Sequence, residues 1–413
     1  MSKNIYEPVD TGITMQDIAK DTLEFWKSND IPENNINSTR GNSDFYFLEG
    51  PPTANGRPHV GHLSTFTFKD TVLRYKYMNN YRIRRRTGGW DCHGLPVELE
   101  AEKHFGFKTK REIEEYGIEP FNRYCRESVF RYIEEWEEVS SLSGKWLDSK
   151  NAYVTLRNEY MESEWWALSS MFKSGMLYKS YKIVPYCPRC ETSLSSHEVS
   201  QGYEDIEEPA IYVKFRDADH PRRYFLAWTT TPWTIPSNQF LVVNEKLDYD
   251  LVEYKNEEYY VASALTNTIF KGDFRVLDHL RGKDLLGKRY VRPIEFLEAP
   301  RGSLKVVHGS FVNIEDGTGI VHAAPAFGAD DFDIGKEEGV DMINPVDVSG
   351  RFNSDLLPWN GLFVKEADPK IIDYLKANGK LFRSQKHRHT YPFCYRCHSP
   401  LLYYPLDAWY IRI

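Results

Sequence analysis

The apolar positions of the chain change their period along its length, and those changes divide it. From Asp17 to Asn29, Ile18, Leu23, Phe25 and Trp26 fall at helical spacing and predict an amphipathic helix, followed by an Asn/Pro/Ser-rich loop from Asn29 to Asp44. Phe45-Tyr46-Phe47-Leu48 is a short apolar run of strand type. A turn follows, Gly50-Pro51-Pro52-Thr53-Ala54-Asn55-Gly56, and His59-Val60-Gly61-His62 then opens a helix whose Phe66, Leu73 and Tyr77 share a core-facing stripe. Helical patterns recur at Lys110 to Tyr116, Phe121 to Leu142 and Tyr160 to Ser174, the last closed by Gly175. After Tyr181 the texture becomes β-like. Ile211-Tyr212-Val213-Lys214-Phe215, Tyr224-Phe225-Leu226-Ala227-Trp228 and Gln239-Phe240-Leu241-Val242-Val243 stand between turn residues, and this region lasts to about Lys386.

A length of 413 residues admits about two to four domains. Against 60 acidic residues stand 52 basic ones, a net charge of −8, so no global positive field attracts nucleic acid and any RNA contact must be local. The local candidates are Arg82, Arg84, Arg85 and Arg86, and the run Lys386, His387, Arg388 and His389. No apolar run reaches membrane-spanning length and Met1-Ser2-Lys3-Asn4-Ile5 carries no signal-peptide pattern, so a cytoplasmic enzyme without a membrane partner is expected.

Three constellations carry chemistry. A strand, a turn and a helix N-terminus present unpaired backbone N–H groups and a positive dipole end, which suits phosphate oxygens. In His59-Val60-Gly61-His62 two imidazoles flank a glycine, so backbone can approach a phosphate while both rings donate to it. Cys187-Pro188-Arg189-Cys190 and Cys394-Tyr395-Arg396-Cys397 are two C-x-x-C turns of equal spacing, which read as a tetrahedral structural Zn2+ site before they read as disulfides. Trp228-Thr229-Thr230-Thr231-Pro232-Trp233 offers hydroxyls and stiff methyls able to orient a water and crowd a small pocket. A second stretch, Gly317 to Asp331, places a carboxylate behind a Gly/Pro-rich loop, where it can clamp an ammonium.

The Gly50 to Gly56 turn, His59-Val60-Gly61-His62 and Trp90-Asp91-Cys92-His93-Gly94-Leu95-Pro96 together closely resemble the first half of the catalytic domain of class I aminoacyl-tRNA synthetases, and within that class the isoleucyl type. Both segments of the β-rich region resemble the editing domain of the same enzymes. The resemblance implies an α/β fold, the first half of a Rossmann-type nucleotide-binding domain, with a large β-rich, barrel-like editing domain inserted through a zinc-binding neck. It implies an appendage over 1–44, catalytic sequence over 45–180, the neck at 181–200 and 387–400, editing sequence over 201–386 and the start of the return to the catalytic domain over 401–413. It further implies that His59, Gly61 and His62 bind ATP, entering with Mg2+ as substrate, that the two histidines act in catalysis, that Asp91 binds the amino-acid ammonium and that Pro51 lines its side-chain pocket. Thr229, Thr230, Thr231, Asn238, His322 and Asp331 would form the editing site, Asp331 by its position nine residues after His322, while Cys187, Cys190, Cys394 and Cys397 hold zinc. L-isoleucine, ATP and tRNA(Ile) would be the partners of a monomeric isoleucine-tRNA ligase that hydrolyses mischarged valine.

One departure is the doubled Gly88-Gly89, where a single glycine is expected ahead of Trp90. The lysine-rich second signature of the class, Lys-Met-Ser-Lys-Ser or similar, and an anticodon-binding helical region are absent from these 413 residues, which predicts an N-terminal portion unable to form isoleucyl-adenylate by itself. A valyl or leucyl form, another nucleotidyltransferase with an H-x-G-H turn, and a non-catalytic RNA-binding or scaffold remnant are the alternatives.

Overall fold

The computed structural model describes residues 12–38, 41, 43–84 and 86–413 and forms two compact units, Met1–Met176 and Leu177–Ile413. Met1 to Ile5 and Arg85 lie outside the described residues. In the first unit α1 spans Met15–Ser28, starting where Thr14 and Asp17 cap each other reciprocally, and α2, Ile31–Ile36, falls in the stretch expected to be loop. A proline in the first turn of α2, where no backbone donor is needed, explains how so polar a segment becomes helical.

β1 (Ser43–Tyr46), α3 (Val60–Met78), β2 (Tyr81–Arg84) and β3 (Thr87–Trp90) come next, then α4 (Leu95–Phe105), α5 (Lys110–Tyr116), α6 (Ile118–Ser128), α7 (Ile133–Leu142), β4 (Asp148–Val154) and α8 (Asn158–Lys173). The helix expected over Phe121 to Leu142 is two helices, broken at residues 129–132. β1 pairs in parallel with β2, a parallel bridge joins Thr53 to Asp91, and β3 pairs in parallel with β4. Parallel neighbours need crossovers, which α3 supplies between β1 and β2 and the α4 to α7 run supplies between β3 and β4.

The doubled glycine belongs to this packing. A Cβ on Gly89 would stand 2.4 to 2.8 Å from the Tyr153 ring, whose hydroxyl donates to the Glu49 carbonyl at 2.7 Å, while one on Gly88 would meet the Leu147 side chain at 3.2 Å and the Asp148 carbonyl oxygen at 3.4 Å. Gly89→Ala is therefore expected to destabilise by about 1–3 kcal/mol through overpacking, and Gly88→Ala by less. Thermal melts of the two variants check the order.

The second unit opens with β5 (Leu177–Cys187), β6 (Thr192–Ser193) and α9 (Ser196–Ser200). Its large mixed sheet takes in β7 (Tyr203–Asp217), β8 (Arg223–Thr229), β9 (Phe240–Val243), β10 (Asp248–Tyr254) and β11 (Glu257–Ala262). After α10 (Thr266–Ile269) come β12 (Arg275–Arg281), α11 (Gly282–Leu285), β13 (Tyr290–Val291), β14 (Lys305–His308) and β15 (Val321–Ala323). α12 (Ala329–Glu337), α13 (Val364–Ala377), β16 (Leu381–Pro392) and β17 (Leu402–Ile411) complete it. The strand order is β12-β10-β11-β8-β15-β9-β14, with β7 bound to β8, β13 and β16. Phe215, Phe225, Leu226, Tyr260 and Val252 are among the buried residues of its one large core.

β16 pairs with β7 from Leu381 to Pro392, so the expected boundary at residue 386 falls inside a strand. Residues 401–413, expected to begin a return to the first domain, supply β17, the antiparallel partner of β5 in the second unit. Among the described residues no helix is long and apolar enough to cross a membrane.

Candidate functional sites

In the first unit, His59 is the N-cap of α3. Its Nδ1 accepts the Gly61 N–H at 3.1 Å, and the His62 Nδ1 accepts the His59 N–H at 3.2 Å. Each ring thus uses Nδ1 as acceptor, which places the proton of the neutral imidazole on Nε2 and leaves two N–H donors at the helix start. The rings stack with centroids 3.7 Å apart, and a Cβ on Gly61 would stand 3.0 Å from the His59 ring, so the glycine is what lets the cap form. Burial, and then the neighbouring His59, hold His62 below the usual histidine range and so keep it neutral.

The turn before α3 joins these rings to Asp91. Asp91 N–H donates to the Pro52 carbonyl at 2.9 Å, Asn55 Nδ2 donates to the Pro96 carbonyl at 2.9 Å, and Trp136 Nε1 donates to the Gly56 carbonyl at 2.8 Å. The His62 ring lies 4.6 Å from Trp136. Pro51 and Asp91 are half-buried, and Glu49, just upstream, is buried against Lys69 and against Lys145 at 3.0 Å. A cavity of about 770 Å³ reaches Glu49, Pro52, Gly89 and Trp90 on its way to the N-terminal helices.

In the second unit, the two C-x-x-C turns meet. All four sulfurs lie within 4.8 Å of one another, with Cys187 and Cys397 Sγ 3.5 Å apart, far beyond a disulfide bond of about 2.05 Å. Zn–S bonds of about 2.3 Å put the sulfurs of a tetrahedron roughly 3.8 Å apart, so the four fit a closed Zn2+ site. Each turn ends on a residue in the left-handed region, Glu191 at φ 49° and His398 at φ 56°, and Cys190 N–H donates to Cys187 Sγ at 3.3 Å. Gly202 lets the second turn approach, since a Cβ there would stand 2.0 Å from the Phe393 carbonyl oxygen. Hydrogen bonds among the four sulfurs draw Cys394 and Cys397 down and push Cys187 and Cys190 up, so one pair carries the protons that the other pair gives up.

The threonine run also finds its partners. Thr229 and Thr231 hydroxyls lie 3.1 Å apart, Thr230 is half-buried between them, and Thr234 Oγ1 lies 3.4 Å from Thr231 Oγ1 and 2.9 Å from His322 Nε2. His322 Nδ1 is 2.8 Å from Asn238 Nδ2, and Asn238 Oδ1 accepts from the Tyr290 hydroxyl at 2.7 Å. The directions follow from one another. An amide oxygen taken by Tyr290 makes the Asn238 nitrogen the donor, so His322 accepts at Nδ1 and donates from Nε2 to Thr234, whose hydroxyl passes on to the Thr231 carbonyl at 2.9 Å. Burial pushes His322 down to about 3, so this ring is neutral and fixed. Asn238 and His322, expected to place substrate, are fully or nearly fully buried in this chain of bonds and hold the threonine loop. Thr234 and Tyr290 are members that the sequence reading passed over.

Asp331 lies in the first turn of α12, its Oδ2 accepting the Ala324 N–H at 2.8 Å, and burial raises it to about 6. Its neighbour Asp330 is exposed. The RNA candidates have acidic neighbours: Arg82 and Arg84 share Asp44, Lys386 and Arg388 pair across to Glu207 and Asp205 on β7, and His389 lies 3.5 Å from Glu208. Arg86 is buried and bonded to Asn35, so it is no RNA ligand.

Residues 21–413 match the family model of tRNA synthetases class I (I, L, M and V). The chain is 60% identical to an isoleucine-tRNA ligase of Thermoplasma acidophilum over 99% of its own length and 40% of that protein, and 49% identical to one of Clostridium acetobutylicum over 99% and 39%. A solved structure described as GlLeuRS-CP1 is covered to 99% by 44% of this chain, at 18% identity and a TM-score of 0.35, a likeness too coarse to carry weight. The chain spans about 40% of the length of these relatives. It belongs to the class I tRNA synthetase family.

Proposed function

We propose that the protein is an isoleucine-tRNA ligase that also hydrolyses valine mistakenly joined to tRNA(Ile). The relatives whose names state isoleucine-tRNA ligase support the specificity, and the observation that carries the hydrolytic half is the meeting of the threonine run with His322, at 2.9 Å through Thr234. In activation, the isoleucine carboxylate attacks the α-phosphorus of ATP and pyrophosphate leaves. His59 and His62 donate from Nε2 to phosphate oxygens as charge builds there, Gly61 leaves the backbone open to them, and Asp91 holds the substrate ammonium. Pro51 contributes to the apolar wall. Mg2+ enters with ATP.

An apolar pocket that fits isoleucine admits valine, since one methylene is worth about 1–3 kcal/mol; the isoleucine/valine pair is the usual illustration of that limit and not a value derived from this chain. The second site answers it. There Asp331 holds the ammonium of the esterified valine, and Thr229, Thr230 and Thr231 line the position of the attacking water, too crowded for the larger side chain. The four cysteines hold Zn2+ structurally, with no open position for substrate.

The test is deacylation of Val-tRNA(Ile) beside Ile-tRNA(Ile). The valyl ester is expected to be hydrolysed at least about tenfold faster, a discrimination of the size that one methylene allows. Equal rates remove the proofreading reading. For the activation site, His62→Ala in the intact protein is expected to lower isoleucine-dependent ATP–pyrophosphate exchange by about 100-fold, the usual loss of a donor to developing charge.

A further inference from the structure

The threonine run is held from α13, by a carboxylate with no part in the chemistry above. Asp368 is buried, and its Oδ1 accepts the Trp233 N–H at 2.8 Å. Trp233 is the second residue of the 3-10 turn Pro232–Ser237, where a backbone donor has no acceptor within its own turn. Its indole meets the Phe327 ring edge-on at 4.6 Å, and Phe327 belongs to the loop in which Asp331 accepts from Ala324. Trp233 therefore joins the threonine run to the loop that leads to Asp331, and Asp368 fixes its backbone.

The setting of α13 is itself braced. Lys365, one turn before Asp368, pairs with Glu208 on β7 at 2.8 Å and lies 4.5 Å over the Tyr391 ring on β16. His389 approaches the same Glu208 at 3.5 Å. At the other end of the threonine run, Trp228 meets His387 edge-on at 5.3 Å. The histidines of the basic run thus touch Glu208, which pairs with Lys365 of α13, and Trp228, which precedes the threonine run.

We propose that Asp368 is a positioning residue of the hydrolytic site: by holding the Trp233 N–H it sets the threonine hydroxyls against the Asp331 loop. This rests on the hydrolytic reading of that pocket. Asp368 acts through Trp233.

The test compares Asp368→Ala and Asp368→Asn in the intact protein, with two readouts: hydrolysis of Val-tRNA(Ile), and amide hydrogen exchange of the segment 229–238. The alanine variant is expected to lose between about 10-fold and 100-fold in kcat, the scale of a misplaced reacting group, with KM within about twofold. The same variant should exchange faster over 229–238 while strands β10 and β11 keep their protection. Asparagine retains an oxygen that can accept from Trp233, so it should restore both readouts to within about threefold of the parent, which also guards against a fold lost in the alanine variant. Unchanged exchange or unchanged kcat in Asp368→Ala, or an asparagine variant as impaired as alanine, overturns the proposal. A parent protein that fails to hydrolyse Val-tRNA(Ile) at all brings down the hydrolytic reading instead, and the exchange data then decide the Asp368–Trp233 contact on their own.

Discussion

Cys394→Ser is expected to abolish stoichiometric zinc, about one ion per chain in the parent, and to open the β5–β17 ladder while the large sheet stays folded. Structural zinc contributes about 10–16 kcal/mol of binding free energy in small zinc peptides, against about 5–15 kcal/mol for the net stability of a whole domain. Where that energy acts is decided by what the cysteines touch. Cys187 ends β5, Cys394 and Cys397 lie between β16 and β17, and the residues of the buried cluster on β5 and β17 are Tyr186, Leu402 and Tyr404. The heart of that cluster, around Phe225 and Tyr260 with ring centroids 4.8 Å apart, has no sulfur ligand in it. Loss of the metal should therefore raise amide exchange over residues 177–193 and 394–411 by orders of magnitude and leave 240–262 slow, a sub-global opening rather than unfolding. Metal analysis beside hydrogen exchange checks both parts, and a strong chelator acting on the parent should reproduce the variant. Reductant should not, because none of the four cysteines is in a disulfide. A serine variant that keeps its zinc, or a parent with no zinc and identical exchange, defeats the assignment.

Local rules read the chain well where the chemistry is local. The strands around Ile211, Tyr224 and Leu241 were legible because β-branched and aromatic residues stand between turn formers, and the histidine turn because a cap, a glycine and a helix start lie within four residues. The equal spacing of the cysteine turns made their meeting predictable across a long separation. What escaped was long-range. Asp368 sits in Val364-Lys365-Glu366-Ala367-Asp368, and nothing nearby in sequence announces that Trp233 donates to it. Tyr290 likewise reaches Asn238 from a distant strand. The acids beside the basic run at Lys386, Asp205, Glu207 and Glu208, become its neighbours only through the antiparallel register of β7 and β16. α2 was missed for a different reason: the asparagines that suggest a loop are tolerated in a helix that begins on a proline.

Asp331→Ala is expected to reduce hydrolysis of Val-tRNA(Ile) by at least about 100-fold, the largest effect of any single substitution in the second unit apart from the cysteines. An ammonium held by a half-buried carboxylate gains a charge-assisted bond, and misplacing the ester by about 1 Å already costs that much. Asparagine should not rescue it, because the clamp needs charge rather than an acceptor, and this separates Asp331 from Asp368. The pH dependence follows from the same burial. Asp331 is raised to about 6, so in the free protein the ionised form, the one able to bind an ammonium, is lost as pH falls below about 6. The hydrolytic kcat/KM should accordingly fall about tenfold per unit below pH 6 and level off above it, the limb reporting the free protein's carboxylate. The stability linkage runs the other way. A carboxyl whose folded value is above its unfolded value near 3.8 favours the folded state least once the unfolded chain has ionised, so its contribution declines as pH rises from about 4 to about 6. Asp331→Ala should therefore melt at a higher temperature relative to the parent at pH 7 than at pH 4, while losing its hydrolysis at both. A variant that keeps the parent's pH limb, or one whose activity falls only in step with its melting temperature, would remove Asp331 from the clamp and leave it a structural partner of Ala324.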